Sequence, residues 1–138
     1  ERRRKPLDLE EIKESAKNLR IAAVDDDFVI QELLKNTFES VGAEVVTYSD
    51  GEVYLESAGK EEFDLVFLDL MMPKVNGFTV LKELKSRDID QPVIVLSAVT
   101  QREAVVKAFQ AGIKSYLVKP LKPADILKKS MEILRPNF

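Results

Sequence analysis

An α/β fold, a doubly wound parallel sheet of five strands with helices on both faces, is what this sequence predicts, and three observations predict it. Short runs of β-branched and aliphatic residues recur five times from Arg20 onward. Segments of helical period separate them. The runs are mostly apolar on both faces instead of alternating, the pattern of a parallel sheet covered on each side by helices. Length permits a single core: 138 residues, 45% of them hydrophobic, can bury about two thirds of the unfolded surface in one domain.

The elements follow in order. Residues 7 to 18, LDLEEIKESAKN, carry a helix start, with Asp8 at the cap, Glu11 three residues on to reciprocate, and Leu7 placed to staple onto Ile12. Leu9, Ile12, Ala16 and Leu19 share one side of this leading helix, which therefore docks on this domain or on a partner. Residues 1 to 18 read as an extension or linker and 19 to 138 as the main domain. The strands are IAAV (21 to 24), EVVTY (44 to 48), LVFL (65 to 68), VIVL (93 to 96) and SYLV (115 to 118). Helices are expected near 28 to 40, 51 to 58, 77 to 86, 101 to 111 and 123 to 134. The first of these sets Ile30, Leu33, Leu34, Thr37, Phe38 and Val41 on one face. Gly42 and Gly112 stand where helices end, and Pro123 suits a first helical turn.

Composition excludes several chemistries. Acidic and basic residues, 24 against 21, are scattered, so no basic face is present and no direct nucleic-acid contact is expected. The one basic run, Arg2-Arg3-Arg4-Lys5, reads as a solvated tail. No apolar stretch approaches the ~20 residues of a membrane helix, so membrane insertion is not expected and the cytoplasm is the default location. Without cysteine there are no disulfides or thiolate metal sites. Without histidine there is no His-based triad, no ordinary zinc site and no phosphohistidine of the chain's own. The chain opens on Glu1, and both ends read as cut from something longer.

In an open parallel sheet, ligands bind outside the carboxyl ends of the strands, near the point where strand order reverses. The residues there are Asp25-Asp26-Asp27 after the first strand, Asp69 after the third, Ser97 after the fourth and Lys119 after the fifth. Each has an ordinary explanation: a helix cap for the aspartates, Asp27 above all, a turn acid for Asp69, a loop serine, a solvated lysine. None explains four polar groups at corresponding strand ends. If Asp25, Asp26 and Asp69 converge, each pair of charges ~4 Å apart repels by about 4 kcal/mol at an effective dielectric near 20. Lys119 offsets one charge. An all-oxygen cluster with few ligands suits a hard divalent ion, Mg²⁺ before Ca²⁺, and such a site is ordinarily completed by a phosphate.

The stretches VDDD (24 to 27), LDLMMPKVNG (68 to 77), VLSA (95 to 98) and YLVKP (116 to 120) together resemble the receiver domain of bacterial two-component response regulators, the family of the chemotaxis response regulator, over residues 19 to 135. The resemblance implies a flavodoxin-like strand order, 2-1-3-4-5. It implies that Asp69 accepts a phosphoryl group, that Asp26 binds Mg²⁺ directly and Asp25 through water, and that the Met71 backbone carbonyl completes the metal site. Ser97 matches the switch hydroxyl and Tyr116 the aromatic switch. Lys119 matches the lysine that the family follows with a cis peptide, here to Pro120. The partners implied are a sensor histidine kinase or histidine phosphotransfer protein as donor and a downstream effector domain or protein, with a homodimer left open. The output surface would be formed by the helix near 101 to 111, the strand 115 to 118 and the last helix.

The sequence departs from the winged-helix transcription-factor branch of that family, which carries acids before the tyrosine of the fifth strand and an arginine-rich last helix. Here Lys114-Ser115 and Lys-Lys-Ser-Met-Glu (128 to 132) stand instead, against that branch's symmetric dimer. Met71 and Val99, two residues past Asp69 and Ser97, offer no acid or amide to a hydrolytic water, so slow self-dephosphorylation is expected. Beside a phospho-accepting switch, catalytic only in its own phosphorylation and dephosphorylation, stand two other readings. One is a phosphorylation-independent interaction module, which would ordinarily have lost an acid or the lysine. The other is an enzyme of similar topology. A flavin-binding protein would need a Ser/Thr/Gly phosphate loop, and a haloacid-type phosphatase would need an aspartate where Met71 stands.

Overall fold

A computed structural model of the chain describes residues 8 to 135. Five strands, β1 (Arg20–Val24), β2 (Glu44–Tyr48), β3 (Leu65–Asp69), β4 (Val93–Ser97) and β5 (Ser115–Val118), form one sheet in the order β2-β1-β3-β4-β5. Every neighbouring pair is parallel, with Ile21 opposite Val45 and Leu65, Phe67 opposite Ile94, and Leu96 opposite Leu117. Six helices surround it: α1 (Leu9–Ala16), α2 (Phe28–Glu39), α3 (Gly51–Ala58), α4 (Gly77–Ser86), α5 (Arg102–Gln110) and α6 (Pro123–Leu134). Successive strand residues point to opposite faces, and the two faces build two cores. Ala22, Val24, Val66, Leu68, Val93 and Val95 meet α3, α4 and α5 through Tyr54, Leu55, Val80, Leu81, Leu84 and Ala108. Ile21, Ala23, Leu65, Phe67, Ile94 and Leu96 meet α1, α2 and α6 through Ile12, Ala16, Leu34, Phe38, Ile126 and Met131. The central strands β1, β3 and β4 are apolar almost throughout because both their faces are covered, whereas the edge strands β2 and β5 leave Glu44, Thr47 and Val118 exposed.

Local chemistry places the helix ends. Asp8 Oδ1 accepts from the Glu11 N–H at 2.8 Å, Asp27 Oδ1 from Val29 at 2.9 Å, Asp50 Oδ1 from Glu52 at 2.7 Å and Asn76 Oδ1 from Thr79 at 3.0 Å. Each satisfies a donor that the first helical turn leaves free. Gly42 (φ +94°) and Gly112 (φ +98°) end α2 and α5 in the left-handed conformation that favours glycine. Pro123 opens α6. In contrast, Gln101 makes no side-chain cap for α5, and Ala108 is the one buried residue of that helix.

Two expectations need correction. Asp69 and Ser97 are the last residues of β3 and β4 instead of lying beyond them, with Asp69 opposite Leu96 and Ser97 opposite Val118. Polarity suggested a strand end, but ladder pairing depends on the backbone and continues through both. The leading helix docks on this domain, yet Leu9 is 55% exposed while Ile12 and Ala16 are buried. Helical period tells which side of a helix is apolar, not how far along it the core extends. The Leu7 staple and the basic run 2 to 5 lie outside the described residues.

Candidate functional site

Strand order reverses between β2 and β3, the two neighbours of β1, and the carboxyl ends of β1 and β3 flank the resulting crevice. The β1–β2 ladder runs one residue past Val24, with the Asp25 N–H donating to the Tyr48 carbonyl at 3.0 Å. Asp25 is consequently buried completely, while Asp26, next in the chain, is exposed. Asp69, last in β3, is 4% exposed. Carboxylate oxygens of Asp25, Asp26 and Asp69 all lie within 4.8 Å of one another.

One cation sits against them. Lys119 Nζ is 2.9 Å from Asp25 Oδ2 and 3.6 Å from Asp69 Oδ2. It is delivered from the end of β5, where the Lys119 N–H donates to the Ser97 carbonyl at 2.9 Å and the Lys119–Pro120 peptide is cis. Burial alone would lower the pKa of the ammonium, but Asp25 and Asp69 outweigh it and the net shift is upward, so Lys119 stays charged. Burial pushes Asp69 up to about 6, with the Met71 N–H holding it down and Asp25 pushing it further up. Asp25 is raised too, again by burial, against the pull of Lys119. Three carboxylates with one ammonium leave excess negative charge in a partly buried pocket, which suits a bound divalent cation.

The other expected residues fall around this cluster. Met71 turns its N–H to Asp69 Oδ1 at 3.1 Å while its side chain is 64% exposed. Ser97 is fully buried and its Oγ accepts from the Val99 N–H at 3.0 Å. Tyr116 does not reach the carboxylates. Its hydroxyl donates to the Val99 carbonyl at 2.7 Å, so Ser97 and Tyr116 grip the same loop residue from its two sides.

Two residues of the site escaped the sequence reading. Gly77, the first residue of α4, donates its N–H to the Leu70 carbonyl at 2.9 Å. A Cβ there would lie 2.7 Å from the Asp69 carbonyl oxygen and 2.7 Å from Leu70 Cα, so only glycine lets α4 close against the end of β3. Its signal was present, a glycine directly after a capping asparagine, but the glycine's neighbour across the fold is not readable from the chain. Gln31, buried in the first turn of α2, donates to the Asp25 carbonyl at 2.6 Å and to Ser49 Oγ at 2.9 Å. A glutamine in a helical run gives no such signal.

Comparison with known proteins agrees with this architecture. Residues 21–130 match the model of the response regulator receiver domain. The alkaline phosphatase synthesis transcriptional regulatory protein PhoP of Bacillus subtilis (strain 168) is 36% identical over 118 residues, covering 86% of this chain and 49% of that protein. The DNA-binding dual master transcriptional regulator RpaA of Synechocystis is also 36% identical over 118 residues, covering 84% of this chain and 49% of its own length. The chain thus spans about half the length of the curated relatives it matches. Among solved structures, a chain of the CheX-CheY-BeF3-Mg+2 complex from Borrelia burgdorferi superposes with a TM-score of 0.80 at 30% identity, covering 85% of this chain and 90% of that one. Among the described residues no helix is long and apolar enough to cross a membrane. With a family model over most of its length, relatives above 30% identity and the same sheet order, the chain belongs to the response regulator receiver family of two-component signalling.

Proposed function

We propose that Asp69 is the phosphoryl acceptor of this receiver and that Asp25, Asp26 and the backbone carbonyl of Met71, together with Asp69, hold Mg²⁺. The observation that carries this is the convergence of three carboxylates within 4.8 Å around a buried Asp69, with Lys119 3.6 Å away. The donor set is all oxygen and its negative charge is uncompensated, which fits magnesium. A relative's structure, by its title, holds beryllium fluoride and magnesium. When bound, Mg²⁺ supplies charge neutralisation for the phosphoryl oxygens, most of what phosphoryl transfer asks of a protein.

The chain's own residues account for the rest. An Asp69 carboxylate oxygen attacks the phosphorus, an O–P bond forms, and the N–P bond to a partner's phosphohistidine breaks, leaving the imidazole with the bond's electron pair. Lys119 stabilises the charge gathering on the phosphoryl oxygens. The chain has no histidine, so the donor is external, a sensor histidine kinase or histidine phosphotransfer protein. Phosphorylation adds about 1.5 to 2 negative charges and three acceptor oxygens. Ser97 Oγ then turns from the Val99 N–H to the phosphoryl group, the Val99 loop moves, and Tyr116 loses its acceptor and swings. The surface of α5, β5 and α6 changes, and a downstream effector domain or protein reads it. Residues 19 to 138 form the receiver and 1 to 18 an extension or linker, in a protein of the cytoplasm.

Incubation with acetyl phosphate and Mg²⁺ should add one phosphoryl group by mass spectrometry, and Asp69→Asn or chelation of the metal should abolish it. Addition to Asp69→Asn would sink the assignment. Because Met71 and Val99 carry no acid or amide, the phosphorylated chain should hydrolyse slowly, and Met71→Asn or Val99→Glu should shorten its half-life several-fold.

A further inference from the structure

The side chain of Asp26 is exposed, and among the described residues no hydrogen bond or ion pair holds its carboxylate. Its backbone is held on both sides. On the leaving side, the Asp27 N–H, which shares a peptide plane with the Asp26 carbonyl, donates to Asp25 Oδ1 at 2.9 Å. On the entering side the plane contains the Asp25 carbonyl and the Asp26 N–H. That carbonyl is where the sheet runs out of partners: the Asp25 N–H still pairs with Tyr48, but β2 has ended and the chain turns through Ser49 into α3. A buried carbonyl left without a donor is destabilising, since it has given up its water and gained nothing in exchange. Gln31, 7% exposed, supplies the donor at 2.6 Å and steadies itself on Ser49 Oγ at 2.9 Å.

We infer that Gln31 is a positioning residue for the metal site, replacing the missing rung of the sheet so that the peptide entering Asp26 is fixed and its carboxylate is aimed at Asp25 and Asp69. The inference rests on the assignment of Asp26 as a metal ligand. The bond does more than join two loops, because it falls on the peptide entering Asp26, whose rotation would swing the Asp26 carboxylate away from the cluster. Groups that orient metal ligands in this way typically affect affinity about 10–100-fold.

The test is Mg²⁺ titration of the whole chain, followed by backbone amide shifts, alongside urea denaturation of each variant in the absence of metal. Gln31→Met, of similar shape with no donor, should weaken Mg²⁺ binding about tenfold at a temperature where it is fully folded, with the largest shift changes at Asp26 and Asp27. Gln31→Lys, which restores a donor at similar reach, should recover most of that affinity. Ser49→Ala leaves the Asp25 bond in place and should alter affinity less than about threefold, well below the effect of losing the orienting bond itself. A Gln31→Met chain that is less stable but binds Mg²⁺ as the parent does would overturn the inference and leave the metal site standing. Absence of any Mg²⁺-dependent shift in the parent chain would overturn the site assignment and the inference with it.

Discussion

A carboxylic acid at the end of β3 holds its proton up to about pH 6, chiefly because it is buried, and this has a consequence for stability with a definite sign. The same group titrates near 3.9 when exposed in an unfolded chain. Below that value both states are protonated and folding carries no penalty. As pH rises toward about 6 the unfolded chain releases the proton first, so the folded state steadily loses stability, and the loss is complete above the folded pKa. Asp69→Asn should therefore be more stable than the parent at pH 7 without Mg²⁺, with the gap closing as pH falls from 6 to 4; urea denaturation across that range measures it, and a pH-independent gap would contradict the burial argument. Gly77 makes the complementary case, a residue that matters for what it lacks. In Gly77→Ala the new methyl meets the backbone of Asp69 and Leu70, which cannot rotate away, so about 1–3 kcal/mol should be lost together with phosphorylation rate. Gly59→Ala, where a Cβ would have nothing within 4 Å, is the control and should be close to neutral.

At the scale of elements, the alternation of apolar runs and helical periods was readable because α2 and α4 each have one buried stripe and the central strands β1, β3 and β4 two buried faces. Boundaries were less so: Asp69 and Ser97 were placed outside strands that include them, since a polar side chain says nothing about whether its backbone is paired. The leading helix shows the same limit along its axis. Ile12 and Ala16 sit in the core with Leu34 and Phe38, whereas Leu9 does not, although all belong to one apolar side. Ile12→Ala should cost about 2 kcal/mol, the low end for a buried aliphatic at a domain edge, and Leu9→Ala less than about 0.5 kcal/mol. Equal effects, measured by chemical denaturation, would mean that Leu9 has a partner after all.

For the molecule as a whole, the site was legible because a parallel sheet delivers every strand's carboxyl end to one edge, so polar residues far apart in sequence declared a common address. Gln31 and Gly77 were not, because each acts on a neighbour's backbone and leaves no mark on pattern or charge. The two cores are also unequally shared. α2 buries Leu34, Phe38, Thr37 and Gln31, and α4 buries Val80, Leu81 and Leu84, while α5 buries Ala108 alone and is otherwise pinned by Lys107, whose Nζ lies 4.4 Å from the Phe78 ring centroid. Amides of residues 104 to 110 should exchange with deuterium ahead of those in α2, α4 and the strands, and Lys107→Ala should speed them further; uniform protection across the helices would contradict this. A helix so thinly anchored makes a sensitive pointer: the work needed to displace it is small beside that needed for α2 or α4, so in the proposed switch a modest rearrangement at Val99 would be spent on moving α5 and not the sheet beneath it.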